Sequence, residues 1–214
     1  KQSIYIDLKV KLDPGPSAID KEKSNYFVNL LSKGDTTTIT ETPTARRTLE
    51  GLTWIDDNRD GIQDKDEMRL SGVNVELLKL KEGGNAGNES DYEAVCYPDT
   101  DTPVSIETGH QISIREKADS VAAVYEPGRY KFIDLPKGTF AVRFSEGSSK
   151  IHILEASPEN QGGDDTVDSD GTPTYSDDNK DLEKTLISDI RMPAVEELAV
   201  TLYESKYHDS GFYC

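Results

Sequence analysis

Apolar and polar residues alternate along much of this chain. The runs Ile4-Tyr-Ile-Asp-Leu-Lys-Val-Lys-Leu12, Val73-Asn-Val-Glu-Leu77, Tyr130-Lys-Phe-Ile133 and Phe140-Ala-Val-Arg-Phe144 carry apolar side chains at alternate positions. A period of two turns those side chains to one face of a strand, so each run predicts a half-buried β-strand. Turn chemistry separates the runs: Asp13-Pro-Gly-Pro16, Gly83-Gly-Asn-Ala-Gly87, Glu126-Pro-Gly128 and Leu135-Pro-Lys-Gly138. No long amphipathic helix is found, and single helical turns are expected at 17–23 and near 194–198. Many short strands punctuated by turns predict an all-β sandwich.

The pattern breaks near residues 43–50. Residues 36–44 are threonine-rich, Pro43 interrupts them, and a new strand is expected to begin at Gly51. Residues 1–48 hold two or three strands, too few to bury a core alone. They read as the tail of a preceding β domain or as extra strands on the main one. Residues 49–214 form the main domain. The chain opens inside a strand-like run, so it is expected to be a piece of a longer protein.

Charge sharpens the picture. The net charge is −17, with 34% apolar residues. That balance gives no electrostatic footprint for nucleic acid, and an anionic membrane surface would repel it. No run of about 18 apolar residues exists to insert in a bilayer. The acid is concentrated. Residues 56–67 hold six acids against two bases, and 157–183 hold nine against one, so these two segments supply −12 of the −17. Acidic runs are usually solvated faces. Carboxylates crowded into one loop also repel each other unless a cation sits among them.

The first acidic segment, Asp56-Asp-Asn-Arg-Asp-Gly-Ile-Gln-Asp-Lys-Asp-Glu67, fits D-x-[DN]-x-[DN]-G-x5-E at every specified position. Calcium takes about 6–8 oxygens, and a tight loop with alternate side chains turned inward supplies them. The expected ligands are Asp56, Asn58, Asp60, the Ile62 carbonyl, Asp64 directly or through water, and Glu67 with both oxygens. Gly61 provides the sharp turn. The flanks read as strands, which argues against a helix-loop-helix frame. The second segment, Gly162-Gly-Asp-Asp-Thr-Val-Asp-Ser-Asp-Gly171, has four carboxylates in seven residues but no terminal Glu at the matching spacing. Two readings stand open for it: a second hard-cation site completed from elsewhere in the fold, or a solvated acidic loop. Asp177, Asp178 and Asp181 are weaker candidates.

Residues 51–67 followed by Leu70-Ser-Gly-Val-Asn-Val-Glu-Leu77 resemble the opening of the B domain of serine-aspartate-repeat adhesins, G-x-x-W-x-D-x-N-x-D-G-x-Q-D-x-x-E and then G-V-x-V-x-L. Residues 128–144 are similar to that family's G-x-Y-x-F-x-x-L-P-x-G-x-Y-x-V-x-F. Residues 165–171 resemble its D-x-x-D-S-D-G, and Asp209-Ser-Gly-Phe-Tyr213 its closing D-x-G-F-Y. The blocks run in family order from 51 to 213, and residues 1–50 lie outside them. The resemblance implies an Ig-like or prealbumin-like (Cna B-type) β-sandwich with calcium-binding loops. Such a domain is a non-catalytic spacer among neighbouring domains of a cell-wall-anchored, extracellular Gram-positive surface protein. The family's main calcium loop falls on Asp56, Asn58, Asp60, Ile62, Asp64 and Glu67, and its D-S-D block on Asp165, Asp168 and Asp170. The stretch between Leu80 and Gly128 is a long departure from the family.

Two further readings are carried. Segment 81–127, with Tyr92, Tyr97 and Tyr125 expected to be exposed, would form a recognition surface for a host protein or glycan. An isopeptide-crosslinked pilin-type module would draw on Lys9, Lys11 and Asn29, although exposed lysine is the norm. Enzymatic signals are weak. His110, His152 and His208 are scattered without zinc spacing, and no nucleophile elbow or phosphate-cradling glycine loop is present. Trp54 reads as a core residue. Cys96 and Cys214 allow one disulfide without requiring it.

Overall fold

The computed structural model describes residues 46–178, 180–194 and 202–214. The chain divides into two compact units, Lys1–Thr44 and Ala45–Cys214, and every described residue belongs to the second. The run at 4–12, the turn at 17–23, the turn near 194–198 apart from Ala194, and Lys9, Lys11 and Asn29 lie outside the described residues.

Thirteen strands order the described residues: β1 (Arg46–Ile55), β2 (Asn74–Leu80), β3 (Tyr92–Ala94), β4 (Ser105–Glu107), β5 (His110–Ser113), β6 (Ala123–Val124), β7 (Arg129–Ile133), β8 (Gly138–Ser145), β9 (Glu155–Ala156), β10 (Thr172–Tyr175), β11 (Leu182–Met192), β12 (Leu202–Ser205) and β13 (Ser210–Tyr213). One sheet runs β6-β5-β7-β1-β13-β9 and the other β10-β11-β8-β2-β3. β12 lies parallel to the first half of β1, and β13 parallel to its second half. β4 and β3 likewise divide β2 between them, both antiparallel to it. The two sheets enclose one core built from Leu49, Val75, Leu77, Phe132, Phe140, Phe144 and Phe212. Tyr130 centres it, its ring edge-on to Phe132 and Phe144 at centroid distances of 6.0 and 5.5 Å. This is the expected all-β sandwich, with the alternating runs in β2, β7 and β8.

β1 begins at Arg46, five residues before the expected start at Gly51. Arg47 and Glu50 broke the apolar pattern, yet both are buried. Each is satisfied from far along the chain. Arg47 Nε donates to the Pro193 carbonyl at 2.6 Å. Glu50 Oε2 accepts from the Tyr125 hydroxyl at 3.0 Å and faces Lys131 Nζ at 3.1 Å. A buried charge is tolerated when it is paired and hydrogen-bonded, and remote pairing leaves no local period.

Segment 81–127 adds to both sheets. It contains one 3₁₀ turn, Glu89–Asp91, and the strands β3 to β6, two to four residues long. Strands that short show no alternation. The expected aromatic surface is not there. Tyr92 and Tyr97 are each 6% exposed, and the Tyr125 hydroxyl is held by Glu50. Trp54 is fully buried, as its strand position predicts. Cys96 and Cys214 are both free and exposed.

Candidate metal centre

β1 runs directly into the first acidic loop and carries Asp56 into the interior, where it is fully buried. Its N–H donates to the Phe212 carbonyl at 2.7 Å, which ties the loop to β13. The carboxylate gathers the turn that follows. Oδ1 accepts from the N–H groups of Arg59 at 2.6 Å and Asp60 at 3.2 Å, and Oδ2 from Gly61 at 2.9 Å. Arg59 and Gly61 both sit in the left-handed region, at φ 64° and 77°. A side chain on Gly61 would also collide with the Pro158 carbonyl. The Arg59 guanidinium stacks 4.9 Å from the Tyr213 ring centroid and donates to the Cys214 carbonyl.

The remaining loop side chains converge. Asn58 Oδ1 accepts from the Asp60 N–H at 3.1 Å, and Asp60 Oδ1 from the Ile62 N–H at 2.9 Å. Asn58 Nδ2 donates to Asp60 Oδ2 at 2.9 Å and to Asp64 Oδ2 at 3.2 Å. Glu67 closes the loop, with Oε1 on the Asp57 N–H at 2.8 Å and Oε2 on the Asp64 N–H at 2.9 Å. Burial raises the Glu67 pKa against these hydrogen bonds. As they stand, no three His, Cys, Asp or Glu side chains among the described residues meet as a group that could hold a metal. The carboxylates are turned to N–H donors, and Asn58 offers its amide nitrogen to Asp60 and Asp64. The donor set is nevertheless all oxygen once that amide is turned, which suits a hard cation.

The second acidic block is built against the first. The Gln63 N–H donates to the Val167 carbonyl at 2.6 Å and the Ser169 N–H to the Gly61 carbonyl at 3.0 Å, with an antiparallel bridge between Ile62 and Asp168. Asp168 is 2% exposed, and its Oδ1 has no hydrogen-bond partner. Such a group is costly in the interior, and burial raises its pKa. Asp165 is exposed. Asp170 turns to Asp209 instead: its Oδ2 accepts from the Asp209 N–H at 3.0 Å, and its own N–H donates to the Asp209 carbonyl at 2.8 Å. Asp209 is buried, and its Oδ1 accepts from the Leu52 N–H at 2.7 Å. The D-S-D block therefore divides, with Asp168 joining the first loop and Asp170 pairing with Asp209, just ahead of the last strand. The sequence reading passed over Asp209 as a member of this cluster, because nothing local links it to Asp170. Asp177 and Asp178 are exposed on the β10–β11 connection.

Burial pushes Asp209 up to about 8 and Asp170 up to about 6, each from 3.8. His208, buried with Nε2 against Ser205 Oγ at 2.8 Å, is lowered from 6.5 to about 4. The folded state keeps protons on the two acids that the unfolded chain releases, so their contribution to stability falls as pH rises. His208 acts in the opposite sense between about pH 4 and 6.5. Asp170 and His208 thus offset each other at acidic pH, and Asp209 alone titrates above pH 6.5. With chelator present, stability is expected to fall between about pH 6.5 and 8, at most by about 1.4 kcal/mol per pH unit. Urea unfolding across that range checks this. Asp209→Asn keeps an acceptor for Leu52 and should flatten the slope; an equal slope in both proteins would assign it elsewhere.

No protein-family model and no curated protein matches the chain. Among solved structures, the crystal structure of the major plantain pollen allergen Pla l 1 is similar at 12% identity and a TM-score of 0.35, over 79% of this chain and 94% of that one. At that TM-score nothing about this chain follows from the likeness.

Proposed function

We propose that this domain is a calcium-stabilised, non-catalytic structural module, serving as a spacer between neighbouring domains of an extracellular bacterial surface adhesin. The observation that carries the reading is the closed 56–67 loop, in which Glu67 joins both ends and the side chains at positions 1, 3, 5, 9 and 12 serve one turn. The orphaned, buried Asp168 oxygen beside Ile62 supports a cation in the same neighbourhood. The four sequence blocks that resemble the serine-aspartate-repeat B domain support the spacer role and the cell-surface setting. No helix among the described residues is long and apolar enough to cross a membrane.

Asp56, Asn58, Asp60, the Ile62 carbonyl, Asp64 and Glu67 would hold calcium. Asp168 would answer the same charge across the bridge. A bound calcium ion supplies the positive charge that these carboxylates lack. The chain's own part is to pre-shape the loop: Asp56 fixes the turn, and the bridge between 61–63 and 167–169 braces it. Because the loop is bonded to Phe212 and stacked on Tyr213, ordering it also orders the exit of β13.

A ligand that binds only the folded state stabilises it by RT ln(1 + [L]/Kd), about 2.7 kcal/mol at a hundredfold excess over Kd. Thermal unfolding in calcium and in excess chelator tests the reading, with intact mass taken on the same sample. A higher melting temperature in calcium at unmodified mass is the expected result. An unchanged melt overturns it.

A further inference from the structure

Among the described residues, β6 ends its sheet with no strand paired beyond it. β6 pairs antiparallel with β5, His110 opposite Val124 and Gln111 opposite Ala123. The Tyr125 N–H donates to the Gly109 carbonyl at 2.7 Å. That bond makes His110–Val124 the non-hydrogen-bonded pair, so the N–H and C=O of Val124 point away from β5 toward the free edge. Directly opposed residues share a face, and so do residues two apart. Val124 and Ala122 therefore lie on the face of His110 and Ile112. Ile112 is in the core, which makes this the inward face. Val124 is nevertheless 81% exposed, and Val121 94%; these are the two most exposed large apolar side chains described.

The opposing sheet stops short of them. A cavity of about 380 Å³ lies between β4 and β5, lined by Tyr97, Ile106, Ile112, Val121 and Ala122. A second, of about 350 Å³, lies beside Val124, Tyr125 and Glu107. Neither shares a lining residue with the acidic loops. β6 itself contains no lysine or proline, the residues that commonly block a free strand edge, although its two-residue length leaves Val124 as its one outward-facing backbone site, and Lys117 and Pro127 lie on either side.

We propose that the β6 edge receives an extended peptide segment of a partner protein, added as a further strand, with apolar side chains alternating with basic ones. Main-chain hydrogen bonds to Val124 would supply affinity, and alternate side chains would supply choice. Side chains facing inward would fill the open cavity, which selects apolar residues. The surroundings select the charge of the others. Glu107 lines both cavities, and Asp101 and Asp119 adjoin lining residues in sequence against one base that does so, Lys117; Glu126 is already paired with Arg69 and Arg129. A second copy of this chain would bring another −17 to the same edge, so a basic partner is favoured over self-pairing.

The test is an amide NMR titration of the full chain in saturating calcium with a short synthetic peptide of alternating valine and lysine. Saturable shifts are expected at 110–112 and 120–125. Val124→Pro removes the outward N–H without breaking a β5–β6 bond. Val124→Lys keeps that N–H and places a positive charge at the edge. Either is expected to weaken binding at least about tenfold, as is replacing lysine by glutamate in the peptide. Absent shifts overturn the proposal. So does unchanged binding by Val124→Lys, or equal binding of the glutamate peptide. Concentration-dependent dimers of the chain alone that Val124→Lys abolishes would also overturn it, by assigning the edge to a second copy.

Discussion

Asp56→Ala is expected to lower stability by about 3 kcal/mol even in excess chelator, because it leaves three N–H donors of one turn without their acceptor. Asp56 is fully buried and accepts from Arg59, Asp60 and Gly61. A buried donor left unmade costs about 1–3 kcal/mol, and the Arg59 and Asp60 groups are near enough to water to recover part of that. The left-handed residues Arg59 and Gly61 are held in place by the same bonds. Asp56→Asn is expected to recover less than half of the loss, since one carboxylate oxygen becomes an amide NH2 group that meets an N–H donor. Asp64→Asn, on an exposed side chain, is expected to change stability in chelator by less than about 0.5 kcal/mol while weakening the calcium response. Urea unfolding of the three variants, with and without calcium, separates the turn-holding role of Asp56 from the part it shares with Asp64 as a ligand. A loss below about 1 kcal/mol for Asp56→Ala would mean that the turn stands without it.

That contrast also explains what the sequence made legible. The 56–67 loop could be read because its bonds are local: Asp57 and Glu67 are 10 residues apart, and Asn58 and Asp64 are 6. Spacing alone therefore predicts which side chains share the turn. The second block could not be resolved in the same way. Asp168 is assigned to Ile62 by a bridge across the chain, and Asp170 to Asp209 over 39 residues. Periodicity found β2, β7 and β8, which are five to eight residues long, long enough for alternate positions to show the face turned to the core. It missed β3 to β6, which are too short to show a period. It also started β1 late, because Arg47 is satisfied 146 residues away. The tyrosines of 81–127 are expected outside because the segment shows no alternation, although Tyr92 packs with Leu78 and Ala141 in a small cluster of its own.

Gly51→Ala is expected to cost at least about 3 kcal/mol, above the usual range for one added methyl group in a packed interior. Conformation is not the reason, since Gly51 is absent from the positive-φ glycines. Contact is. A Cβ there would run into the His208 carbonyl oxygen, would lie 2.7 Å from the His208 carbonyl carbon and would press on Tyr130 Cε1 at 2.8 Å. The His208 carbonyl accepts from the Tyr130 hydroxyl at 2.9 Å, and the next residue, Leu52, donates to Asp209. The added methyl must therefore lift 208–209 off β1 and unseat two buried polar contacts together. Tyr130→Phe removes the hydroxyl bond alone and is expected to cost about 1 kcal/mol. The difference between the two variants in urea measures the backbone displacement, and a Gly51→Ala loss no larger than that of Tyr130→Phe would show that β1 and the 208–209 segment are not in close register. The same displacement opens Asp209 to water and lowers its pKa toward the unfolded value. Gly51→Ala is therefore expected to lose the decline in stability above pH 6.5 as well, which a mere cavity or clash elsewhere in the core would leave in place.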